Sequence, residues 1–141
     1  MENKISVTTD WLEKMAFESE INGHKIIIDA APESGGEDRG PRPKPFMLAA
    51  LAGCTAMDVI SILKKMRVEP THFRVKVEGD LTEEHPRHFT KMHVIYEFTG
   101  KDLPLDKLQK AVELSEERYC GVSAVYRKAL ELSSEIQVVE G

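Results

Sequence analysis

The sequence has little of what most recognisable chemistry is built on. Only two cysteines, Cys54 and Cys120, occur in its 141 residues. In a reducing compartment such thiols stay free, so a structural disulfide is not expected. Histidine is sparse and scattered: His85 and His88 share a loop, but no Cys/His spacing matches a zinc site, and no metal is expected. There is no glycine-rich phosphate loop and no Ser-His-Asp signature. Basic excess is also missing. The net charge is -5, which argues against an electrostatic nucleic-acid binder, and no run of one sign stands out. The opening "MENKISVTTDWLEK" lacks the basic-then-apolar order of a signal peptide, so a cytoplasmic protein is expected. No internal repeat or low-complexity segment breaks the chain.

What is there fits one domain over residues 1–141. The hydrophobic share is 41% and the charged share 30%, ordinary for a globular chain large enough to bury one core. One stretch departs from that ordinariness: "FMLAALAGCTAMDVISILKKM", residues 46–66. From Phe46 to Leu63 only Thr55, Asp58 and Ser61 are clearly polar. The run falls slightly short of the ~20 residues a bilayer span needs, and Asp58 would be costly at bilayer depth. A buried helix is therefore expected instead of a span. Lys64, Lys65 and Arg67 near its end suit the helix dipole, and Pro45 suits its first turn. A helix apolar on all sides must be covered on all sides. One sheet covers one side; a second copy of the chain is the simplest cover for the rest, so a homodimer is expected.

Around this helix the pattern is mostly that of strands. Asn22-Gly23 is a strong type I′ turn signal, and it centres a hairpin over residues 13–30. The implied register pairs Ile21 with His24, Glu20 with Lys25 and Phe17 with Ile28, and sets Met15, Phe17, Ile26 and Ile28 on one face. "KISVT" (Lys4 to Thr8) reads as a further strand. Residues 31–45, rich in glycine and proline, read as a long loop of the kind that often carries function. "HFRVKVEGD" and "KMHVIYEF" alternate strictly and predict an antiparallel pair. A second helix follows Pro104, with a stripe of Leu105, Leu108, Ala111, Val112 and Ser115. "YCGVSAVYRKALEL" breaks at Gly121 and resumes as a short helix to about Leu132, and "EIQVV" predicts a last strand.

The thiols are the candidate chemistry. Cys54 has Ala50, Leu51, Met57 and Asp58 as helical neighbours; apolar surroundings and a carboxylate both oppose a thiolate. A positive group would have to come from elsewhere, and Arg39 and Arg42 in the preceding loop are the nearest in sequence. Cys120 sits between two helices with Arg118 close by, and on local electrostatics it is the better thiolate.

"GPRPKPFMLAALAGCTAMDVISILKKM" (40–66) and "ERYCGVSAVYRKAL" (117–130) together resemble the OsmC/Ohr family, the osmotically inducible and organic hydroperoxide resistance proteins. The order of elements over nearly the whole chain fits, and the first piece looks closest to the OsmC-like branch. The resemblance implies an α+β fold, with antiparallel sheets packed on a long central buried helix in an intertwined homodimer. It implies a thiol-dependent peroxidase that needs no cofactor. Cys54 would attack the O–O bond of an organic hydroperoxide, Cys120 would resolve the sulfenic acid as a disulfide, and a dithiol such as dihydrolipoamide would reduce it. An apolar pocket of Phe46, Met47, Leu51 and Met57 would suit an alkyl or fatty-acid hydroperoxide. The chain departs from the family's peroxidases at two points. They carry a Glu shortly before the first Cys, where Lys44 and Pro45 stand here. They also carry an Arg in the N-terminal strands, whereas residues 4–30 contain none, leaving Lys14, Arg39 or Arg42 to serve. The alternative is therefore a non-catalytic protein of the same fold that binds a hydrophobic small molecule.

Overall fold

The structure is a computed structural model that describes residues 3–141. The chain forms two compact units, Met1–Met47 and Leu48–Gly141. The class is mixed α+β, with two three-stranded sheets and three α-helices among the described residues.

The first unit is a meander of β1 (Thr8–Glu13), β2 (Ala16–Ile21) and β3 (His24–Ile28). The Asn-Gly turn forms as its residue types require: Asn22 and Gly23 take φ of 50° and 82°. The pairings Ile21–His24, Glu20–Lys25 and Phe17–Ile28 follow. Two expectations are corrected. The first strand is Thr8–Glu13 and not Lys4–Thr8, because Trp11 pairs with Phe17 and its indole N–H donates to the Lys14 carbonyl at 2.8 Å. Met15 lies in the turn that this bond closes, so Ser19 and not Met15 joins Phe17, Ile26 and Ile28 on their face.

The glycine- and proline-rich loop is ordered around one carboxylate. Asp29, 3% exposed, accepts the backbone N–H groups of Ala30 (2.7 Å), Glu37 (3.1 Å) and Arg39 (3.1 Å). Burial works against this charge, but the N–H donors of Arg39, Ala30 and Glu37 outweigh it and hold the carboxyl below its ordinary value. The loop folds so tightly that a Cβ on Gly36 would stand 2.0 Å from the Ala30 carbonyl oxygen.

α1 (Pro45–Lys65) carries the chain into the second unit. By length and composition it could cross a membrane. Its buried residues are Leu51, Thr55, Val59 and Leu63, a single stripe at four-residue spacing. They pack in a core with Met92, Val94, Tyr96, Phe98, Leu108 and Ala111. The opposite side is open within one chain, with Met57 73% exposed.

The second sheet has the order β4 (His72–Leu81), β5 (Phe89–Gly100), β6 (Glu131–Glu140). β4 and β5 are antiparallel with Phe73 stacked on Phe98 at 4.6 Å. β6 runs parallel to β5, from Lys91–Glu131 to Gly100–Glu140, which corrects the expectation of purely antiparallel sheets. The cause is the connection. α2 (Leu105–Leu114), a π-helical turn (Ser115–Tyr119) and α3 (Gly121–Tyr126) return the chain to the starting end of β5 before β6 begins. α3 therefore stops at Tyr126, short of the expected Leu132, because Glu131 and Leu132 already belong to the sheet.

Candidate functional site

The site grows from α1 and from the π-helical turn. Thr55 lies in the buried stripe of α1. Cys54 precedes it at the half-buried edge, and Asp58 lies one turn on from Cys54, on the same side. The turn Ser115–Tyr119 places Cys120 opposite. The Cys120 N–H donates to the Ser115 carbonyl at 2.7 Å, and its sulfur accepts the Ser123 N–H at 3.4 Å. Wide turns of this kind are frequent at functional sites. The result brings together the residues expected to matter most. The sulfurs of Cys54 and Cys120 and a carboxylate oxygen of Asp58 all lie within 4.8 Å of one another, and both thiols are free.

The two thiols are not alike. Cys120 is 3% exposed, whereas Cys54 is half-buried. Burial pushes the Cys120 thiol up; Ser123 opposes this, and the neighbouring Cys54 sulfur adds to it as a partner that favours the protonated form. Local charge alone favours a thiolate at Cys120; in the fold the burial of its sulfur opposes one. The charge of Arg118 counted for less than desolvation.

Behind the thiols runs a polar network in an otherwise apolar core. Ser115 Oγ donates to Asp58 Oδ2 at 3.0 Å and stands 2.7 Å from Thr55 Oγ1. Thr55 Oγ1 lies 2.9 Å from the Tyr96 hydroxyl, which donates to Glu116 Oε2 at 2.9 Å. Thr55, Tyr96 and Ser115 are fully buried. Burial raises the Tyr96 phenol well above its ordinary value, so it acts as a donor and not as a base. Sequence reasoning missed Thr55, Tyr96, Ser115 and Glu116 as site residues. The available signal was polar atoms on faces otherwise given to core: Thr55 inside the apolar run, Tyr96 among inward-facing strand residues, and Ser115 on the α2 stripe.

The remaining expected residues are placed as follows. Arg39 pairs with Glu13 at 3.7 Å, Arg42 with Asp38 at 2.7 Å, and Lys14 with Glu37 at 3.3 Å, all inside the first unit. Phe46 and Met47 lie in the first turn of α1, half-buried and 39% exposed respectively. Leu51 is in the core, and Met57 faces outward. Among the described residues, Cys54, Asp58 and Cys120 form the cluster whose donors converge closely enough for a metal ion. Two thiolates and a carboxylate would suit a zinc-like cation with one position left open. Such an ion would occupy the same sulfur lone pairs that a disulfide consumes, so the two uses exclude each other.

Comparison with known proteins agrees with the fold. The sequence model of the family described as OsmC-like protein matches residues 35–135. Protein YhfA of Escherichia coli (strain K12) is 38% identical over 130 residues, covering 92% of this chain and 94% of that one. Among solved structures, a hypothetical protein from Aquifex aeolicus VF5 superposes with a TM-score of 0.86 at 27% identity, covering 100% of this chain and 99% of the other. An organic hydroperoxide resistance protein from Legionella pneumophila shares the fold at a TM-score of 0.70 and 14% identity, over 95% and 96% of the two chains. By sequence match across most of its length, with the fold in agreement, the chain belongs to the OsmC-like protein family.

Proposed function

We propose that the protein is a thiol-dependent peroxidase that reduces organic hydroperoxides, alkyl or fatty-acid, in defence against oxidative stress. The observation that carries this reading is the convergence of two free thiols, one half-buried and one buried, within 4.8 Å. That separation is short enough for a disulfide to form by local adjustment. The Cys54 thiolate attacks the O–O bond, the alcohol leaves after taking a proton, and a sulfenic acid remains on Cys54. The Cys120 thiol condenses with it, releasing water and forming the Cys54–Cys120 disulfide. A dihydrolipoamide-like dithiol returns both to thiols and becomes the cyclic disulfide itself. The proposal extends to a cytoplasmic homodimer that forms one functional domain over residues 1–141. The open side of α1, with Met57 73% and Ile60 44% exposed, is apolar surface of the kind a second copy covers. The opposite stripe of α1 is buried in the chain's own core, which suits a core helix better than a membrane span.

A second reading has one observation in its favour. Arg39 and Arg42, the candidate thiolate supports, are each paired with a carboxylate of the first unit. A non-catalytic protein that binds a hydrophobic small molecule would have no need of them at a thiol. One experiment separates the readings. Reduced protein is mixed with cumene hydroperoxide and its free thiols are counted. Wild type is expected to lose both of its thiols, and Cys54→Ser to keep the one that remains to it, Cys120. Full retention in wild type would overturn the peroxidase and leave the binding protein.

A further inference from the structure

The two thiols and the carboxylate beside them have the shape of a coordination site and not only of a thiol pair. The sulfurs of Cys54 and Cys120 and a carboxylate oxygen of Asp58 lie within 4.8 Å of one another, and none of the three residues is exposed. A tetrahedral ion with sulfur at about 2.3 Å and oxygen at about 2.1 Å sets two sulfurs about 3.8 Å apart and each sulfur about 3.6 Å from the oxygen. The three donors reach those positions by closing about 1 Å or less, which small side-chain rotations supply. A disulfide asks more of the same pair, since its sulfurs must come to about 2 Å. The reduced site therefore lies nearer to coordination than to a covalent bond.

The groups around the donors are those that hold metal ligands in place. Ser115 Oγ donates to Asp58 Oδ2 at 3.0 Å, which fixes the carboxylate, and Ser115 is itself tied to Thr55 Oγ1 at 2.7 Å. The Ser123 N–H points at the Cys120 sulfur at 3.4 Å, and the Cys120 N–H donates to the Ser115 carbonyl at 2.7 Å. Cys54 and Asp58 are one turn apart on α1, a rigid element. A cleft of about 430 Å³, lined by Asp58, Ser61, Ile62, Lys65, Leu114 and Tyr119, gives a path to the carboxylate. Search by Cys/His spacing could not find this set. Its third ligand is a carboxylate, and Cys120 arrives only after the chain has passed through the sheet and α2.

We propose that the reduced protein binds one zinc-class divalent cation per chain through Cys54 Sγ, Cys120 Sγ and the Asp58 carboxylate, and that joining the two sulfurs expels it. Two sulfur donors select against hard cations such as magnesium and calcium, and the oxygen donor suits zinc better than copper(I). The proposal goes beyond the peroxidase reading and does not rest on it. Binding exchanges the two thiol protons for the cation. Oxidation by an azo compound such as diamide takes one electron from each bound sulfur and forms the S–S bond. The N=N group takes those two electrons and two protons from solvent and becomes the hydrazine. Asp58 is then the single donor left, and the cation leaves. Occupancy of the site thus follows the redox state of the pair.

The test titrates full-length reduced protein with cobalt(II), a coloured stand-in for zinc, in the absence of oxygen. No peroxide is involved, so failure here leaves the peroxidase reading untouched. Wild type is expected to take one ion per chain, with a sulfur-to-cobalt charge-transfer band and the intense visible bands of a four-coordinate ion. Equimolar zinc should abolish both, and excess magnesium neither. Cys54→Ser and Cys120→Ser should each lose about half of the charge-transfer intensity and more than roughly a hundredfold in affinity, beyond what loss of an outer-shell partner costs. Asp58→Asn should weaken binding while keeping the full intensity of two sulfurs, a split that loosened packing does not produce. After diamide has consumed both thiols, zinc should appear in the filtrate. The proposal is overturned by a wild type without the charge-transfer band, by a band that survives in both serine variants, by half an ion per chain, or by zinc that stays bound to the disulfide form. If Cys120→Ser, at the buried position, does not fold, Cys54→Ser and Asp58→Asn, both half-buried, decide.

Discussion

Joining Cys54 to Cys120 should stabilise the fold by an amount that the chain itself sets. The bond would close a loop of 67 residues, from Cys54 to Cys120. In the chain-entropy treatment, a loop of that length removes unfolded-state freedom worth about 4 kcal/mol at room temperature. For a chain of 141 residues the unfolding entropy is about 0.3 kcal/mol per kelvin, so the ceiling is a rise in Tm of about 15 °C. Some of this is lost to strain, because sulfurs within 4.8 Å must close to about 2 Å while Cys54 is held mid-helix. A rise of about 7–15 °C remains. The assay is a pair of thermal melts, one under reductant and one after stoichiometric diamide, with the free thiols of each sample counted. Diamide makes the bond without peroxide, so the measurement reports geometry alone. Cys54→Ser and Cys120→Ser should show no difference between the two conditions. Loss of both thiols with an unchanged or lowered Tm would refute the reasoning. It would mean that the sulfurs meet only when the surrounding structure opens, or that they pair between chains.

Three further outcomes are expected. If Cys120 is the resolving thiol, as proposed, hydroperoxide added to Cys120→Ser should leave a dimedone-reactive sulfenic acid on Cys54 that excess oxidant carries to sulfinic acid; failure to trap any adduct would place the oxidation elsewhere. Leu63→Ala empties a fully buried position on the core stripe of α1 and should cost about 3 kcal/mol, read as a lowered urea midpoint with an unchanged slope. A change under about 1 kcal/mol would mean that this stripe is not the core. Asp29 has a folded value held below its unfolded one of 3.8, so its contribution is fully present above that pH and is lost as the pH falls through the folded value. Asp29→Asn should therefore lower Tm at neutral pH and flatten the acid side of the Tm–pH curve below about pH 4; an acid limb as steep as that of wild type would show the carboxylate to be uninvolved.

What the sequence made legible was what short-range rules govern. The Asn22-Gly23 hairpin formed in the expected register because the turn type and the two-residue side-chain period leave no alternative. α1 began at Pro45 as the proline suggested, and the strict alternation in β5 buried Met92, Val94, Tyr96 and Phe98. The parallel placement of β6 was not legible, because direction depends on where a thirty-residue connection delivers the chain and not on anything within "EIQVV". Nor was the role of Asp29 in ordering the loop, since its three donors come from residues up to ten positions away.

The thiols show most clearly where local reading ends. Cys120 has an arginine two positions away and sits at the start of a helix, yet its sulfur is buried and its thiol is pushed up. Cys54 lies among alanines and leucines in the sequence, yet in space it meets a carboxylate, a second thiol and the end of a buried hydroxyl line. The surroundings of the two sulfurs are thus set by contacts between α1, β5 and the turn that follows α2, across separations of 41 to 60 residues. On the proposed peroxidase reading, burial suits the division of labour: an incoming oxidant meets the half-buried sulfur of Cys54 before the buried one of Cys120, whose thiol proton leaves with water when the sulfenic acid is resolved.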